Sequence, residues 1–106
     1  MRDIAALTQE YVDASSSAPH GRSAELVLQD GPLRQSVLGL AEGAVLSEHD
    51  SPPAGSVLVL RGAIEIIGES QTIALETGML SELPRERHSV RATVDSAFLL
   101  TAVTDI

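Results

Sequence analysis

Gly43-Ala-Val-Leu-Ser-Glu-His49-Asp-Ser51-Pro-Pro-Ala-Gly55-Ser-Val-Leu-Val-Leu-Arg-Gly62 decides the fold. Its apolar runs are short, and glycine and proline punctuate them. That pattern reads as β-strands separated by turns. A second stretch, Gly78-Met-Leu-Ser-Glu-Leu-Pro84-Arg-Glu-Arg-His88, repeats the arrangement. Each places a histidine on a β-type segment. Together they predict a small barrel in which His49 and His88 point into one cavity.

Working outward, Ala24 to Gln29 is an expected strand, followed by the turn Asp30-Gly-Pro32. Leu33 to Leu40, Val45 to His49, Ser56 to Leu60, Ala63 to Ile67, Thr72 to Glu76, Met79 to Leu83, His88 to Ala92 and Ala97 to Val103 are the others. Ser51-Pro-Pro-Ala-Gly55 is a loop, because proline cannot donate to a central ladder. Ala63 to Ile67 is expected to fold back on Ser56 to Leu60 as a hairpin. Eight or nine short strands at this spacing are the signature of an all-β sandwich or barrel. Ahead of them, Asp3 to Ala14 reads as a helix. Ile4, Leu7, Tyr11 and Ala14 form one stripe, and Asp3 supplies a cap. Ser15 to Gly21 reads as a connector. Residues 1–20 are thus a helical segment and connector, and 21–106 the barrel. An isolated helix of this length is marginal in water, so it must dock on the barrel or on a second subunit.

The chain has 106 residues, one domain's worth. Its core must be aliphatic, with one Tyr and one Phe in the whole sequence. The absence of cysteine excludes disulfides and thiolate zinc sites. No run approaches the ~20 apolar residues of a membrane span, and the first residues lack a signal-peptide core. A cytoplasmic location is expected, with no membrane partner. The net charge of −8 argues against nucleic acid. Arg85, Arg87 and Arg91 cluster, as an anion-attracting rim or as a solvated strand end with local ion pairs. Abundant Ala without Lys or Asn points to a GC-rich bacterial genome.

Val57 to Leu60 is apolar at every position, which requires cover on both faces. One face fills the barrel. The other, carrying Leu58 and Leu60, needs the helix or a partner, and a homodimer is the expectation.

The spacing of these residues resembles a small single-domain cupin of the RmlC-like type, among short bacterial cupins of unassigned function. In the first motif Gly43, His49 and Gly62 stand in register. In the second, Gly78, Pro84 and His88 do. The resemblance implies a jelly-roll barrel, the double-stranded β-helix, with the short helix added. It also implies a divalent transition metal (Zn, Ni, Fe or Mn) held by three histidines and a glutamate. Here Ser51 replaces one of those histidines and Gly55 the glutamate. Glu86 and Ala92 replace a glycine and an asparagine of the second motif. Only His49 and His88 remain as ligands.

A tightly held transition metal generally takes three or four protein ligands. Glu48 and Asp50 neighbour His49, but strand alternation turns them to the opposite face. His20 falls in the connector. Without a metal, His49, Ser51, Val57, Val59 and His88 would line a pocket for a small amphipathic molecule, or the histidines would be plain cavity residues. Ser51 beside His49 lacks the orienting acid and elbow of serine catalysis. No catalytic residue is assigned. The leading reading is a cupin-fold small-molecule-binding protein with an incomplete metal site. The alternative is a small metal-dependent cupin enzyme, dioxygenase- or isomerase-like. A third reading is a subunit or sensor that docks on another protein through its apolar face.

Overall fold

The structure, a computed structural model, describes residues 1–104. Helix α1 (Ile4–Ser17) precedes nine strands: β1 (Arg22–Asp30), β2 (Leu33–Leu40), β3 (Val45–His49), β4 (Ala54–Arg61), β5 (Ala63–Gly68), β6 (Thr72–Glu76), β7 (Leu80–Glu82), β8 (His88–Ala92) and β9 (Ser96–Val103). They form two antiparallel sheets, ordered β1-β2-β9-β4-β7 and β3-β8-β5-β6. The sheets face each other as a jelly roll, the all-β architecture expected.

One expectation needs correction. β5 does not fold back on β4. β4 pairs with β9 and β7 in the first sheet, and β5 pairs with β8 and β6 in the second. The link at Gly62 carries the chain from one sheet to the other. A one-residue link is shorter than the two-residue turn of a tight hairpin. At the crossing the Ser96 hydroxyl accepts from Ala63 N at 3.0 Å, and Thr93 N donates to Ala63 O at 3.0 Å. The backbone of Ala63 is therefore committed to the strands on either side of the β8–β9 turn.

The two inner faces supply the core. Leu38, Leu40, Val57, Val59 and Phe98 come from the first sheet and meet Ile64, Ile66, Leu75, Val90 and Ala92 from the second. Period-two alternation decides this. On β4, Val57 and Val59 are fully buried, while Leu58 and Leu60 stand half-buried on the other face.

Helix α1 lies against β1, β2 and β9. Asp3 caps it, its carboxylate accepting from Ala6 N at 3.2 Å. The helix runs one turn beyond the expected end, and Ser15 rather than Ala14 is buried there, along with Leu7 and Thr8. Ser15 can be buried because its hydroxyl is satisfied: it donates to Tyr11 O at 2.8 Å and lies 2.6 Å from the Ser23 hydroxyl. β2 offers Gly39 at this contact. Any side chain there would collide with Tyr11 O and both serine hydroxyls, so glycine sets how closely helix and sheet approach. His20 is exposed in the turn that follows. Among the described residues, no helix is long and apolar enough to cross a membrane.

Candidate functional site

His49 and His88 occupy paired positions of β3 and β8. Their ring centroids are 4.5 Å apart and the planes meet at 67°. β3 is irregular between Leu46 and His49, which breaks simple alternation just where the histidine is placed. The sequence thus brought together two imidazoles that lie thirty-nine positions apart.

The hydrogen bonds fix their chemistry. Each Nδ1 lies 2.9 Å from the backbone carbonyl two residues earlier, Ser47 O for His49 and Glu86 O for His88. A carbonyl oxygen only accepts, so each Nδ1 carries the proton. In a neutral ring so bonded, Nε2 is a bare lone pair. His49 is half-buried, but His88 is fully buried and its Nε2 has no partner among the described residues. Leaving a buried polar atom unsatisfied costs about 1–3 kcal/mol.

The other site residues divide. Val57 and Val59 pack into the core with Leu40 and Phe98. At their level the barrel is filled by side chains, as small barrels are. Ser51 instead lines a hollow of about 210 Å³ together with Pro52, Gly55 and Leu83, which neither histidine lines. Glu48 and Asp50 face solvent, where Arg87 lies 3.3 and 3.9 Å from their carboxylates. Glu86 holds the β5–β6 turn, accepting from Ser70 N at 2.8 Å and from the Ser70 hydroxyl at 2.6 Å. Those bonds hold its carboxyl below the usual carboxylate range, the hydroxyl first.

Leu83 is the residue the sequence did not reveal. A Cβ at position 55 would stand 2.6 Å from Leu83 Cδ1 and 3.0 Å from Thr101 O. Leu83, buried and bonded from its N–H to Gly55 O at 3.0 Å, occupies the space a carboxylate side chain would need. The only sequence signal was an apolar residue before Pro84.

The sequence matches no family model. Among curated proteins, too, no sequence matches. Solved structures do match. A conserved protein of unknown function from Streptococcus pyogenes superposes with a TM-score of 0.74 at 23% identity, over 84% of this chain and 79% of that one. An RmlC-like cupin from Desulfovibrio desulfuricans gives 0.66 at 26%, over 76% and 79%. The chain has the cupin fold. A salicylate 1,2-dioxygenase from Pseudoaminobacter salicylatoxidans gives 0.75 at 16% identity, over 92% of this chain but 32% of its own length.

The metal that cupins commonly hold can be tested against these residues. The buried bare nitrogen of His88 is a suitable donor, and His49 offers a second. Beyond them the set fails. Ser51 donates to Pro52 O at 3.3 Å, position 55 has no side chain, and no three His, Cys, Asp or Glu side chains come together among the described residues. Two imidazoles fall short of the three or four ligands a tightly held transition metal requires. The residues present do not fit that centre.

Proposed function

We propose that this cupin binds a small molecule at the His49–His88 end of its barrel through an incomplete metal site, in which the imidazoles act as hydrogen-bond acceptors. The carrying observation is the unpartnered Nε2 of His88, fully buried beside the ring of His49. A hydroxyl or N–H of the ligand would satisfy it. The protein acts as a dimer, with the outer leucines of β4 and β7 between its copies.

Native mass spectrometry and metal analysis of untagged protein test the reading. The expected result is a bound small molecule without stoichiometric zinc, nickel, iron or manganese, lost in His88→Leu. Stoichiometric metal that disappears in His49→Ala would overturn it. That outcome would favour a metal-dependent enzyme of the dioxygenase or isomerase kind, a reading supported by the bare nitrogens of both rings.

A further inference from the structure

The three clustered arginines separate once their partners are known. Arg87 is paired with Glu48 and Asp50, and Arg91 lies 3.5 Å from Glu65. Arg85 has no acid within ion-pair distance among the described residues. Three residues before it, Glu82 is likewise without an ion-pair partner there. The two do not pair with each other, although both line the hollow at Ser51 and a second hollow of about 330 Å³ at Gln71 and Ile73. Between them Leu83 and Pro84 are buried, which anchors the backbone and leaves the two charges separately presented.

A carboxylate and a guanidinium held apart around one small hollow offer a partner to each end of a zwitterion. We propose that this hollow binds a small amino carboxylic acid, its carboxylate on Arg85 and its ammonium on Glu82. A volume of about 210 Å³ lies below the ~300–1,000 Å³ of pockets for drug-sized ligands, so the ligand is small. Charge selects the class. A chain of net charge −8 repels a simple anion at long range, whereas a zwitterion approaches without that penalty. A simple cation would meet Arg85. The Ser51 hydroxyl, only weakly engaged at 3.3 Å with Pro52 O, can turn to the carboxylate. This site uses neither imidazole and goes beyond the reading of the histidine pair.

The experiment is an NMR titration of the full chain with L-alanine, acetate and methylammonium, following the Arg85 side-chain Nε–H and the Ser51 amide. L-alanine is expected to give saturable shifts at both groups, with acetate and methylammonium at least tenfold weaker. Arg85→Met should abolish the shift at Ser51. Glu82→Gln should erase the preference, bringing acetate level with L-alanine. Both positions are exposed, so the melting temperature should hold in either variant. No saturable shift with L-alanine, an equal response to acetate in the unaltered chain, or an unchanged Ser51 response in Arg85→Met would each overturn the proposal. His88→Leu should leave this titration intact, which separates its outcome from that of the histidine site.

Discussion

A Cβ at position 55 would lie 2.6 Å from Leu83 Cδ1, a distance that ordinary van der Waals contact does not permit. Restoring a ligand set by Ser51→His with Gly55→Glu would therefore force Leu83 out of its place. Overpacking of this kind typically costs about 1–3 kcal/mol. We expect the double variant to lose stability in that range by urea denaturation and to bind zinc no better than the unaltered chain. Adding Leu83→Ala should recover binding by opening the space. Tight zinc binding by the double variant alone would show that Leu83 is not the obstacle. At the core, Phe98 is 1% exposed between the sheets, and Phe98→Ala should cost about 3–5 kcal/mol by the same measurement.

The N-terminal helix is held to the first sheet by polar contacts as well as by Leu7. The Tyr11 hydroxyl donates to the Glu25 carboxylate on β1, and Arg2 lies 2.5 Å from the same group. The hydrogen bond from Tyr11, then that from Arg2, holds the Glu25 carboxyl below its ordinary range. The same bond to Glu25, followed by burial and the negative charge, pushes the Tyr11 phenol up to about 12. The two contributions run in opposite directions with pH. Glu25 is depressed, so its contribution is present above the usual carboxylate pKa and is lost as pH falls from there through the lowered folded value. Tyr11 is raised, so its contribution is complete below pH 10 and is lost as pH rises toward about 12. Tyr11→Phe should remove the alkaline limb and weaken the acid one. Urea midpoints measured across both windows check this, and an unchanged alkaline slope would refute it.

Across the whole molecule, the outer face of the first sheet grades from covered to bare. One cross-strand row runs Val37, Leu99, Leu58, Leu80. Val37 is fully buried on the side where the helix packs, Leu99 and Leu58 are half-buried, and Leu80 is 67% exposed. The helix covers one end of the row, and a second copy is the occupant we propose for the other. Leu80→Arg should then shift the mass in sedimentation from dimer to monomer while leaving the fold intact. A monomer in the unaltered chain would remove the dimer from the proposal.

The sequence alone determined the strands, because they follow from local signals. Glycine and proline mark turns, alternation marks faces, and the resemblance of the motif spacing carried the expectation that the two histidines meet. Strands β2, β3, β6 and β8 have the expected bounds for that reason. Which strand pairs with which was decided by tertiary structure. β4 and β5 are adjacent in sequence yet belong to opposite sheets, since pairing is settled by long-range partners and not by proximity along the chain. Packing in three dimensions also decided that Leu83 fills the place beside Gly55, that Val57 and Val59 close the barrel's middle, and that Arg85 alone of its cluster stands without an acid among the described residues. Such outcomes depend on volumes and distances between remote segments, which no local pattern of residues encodes.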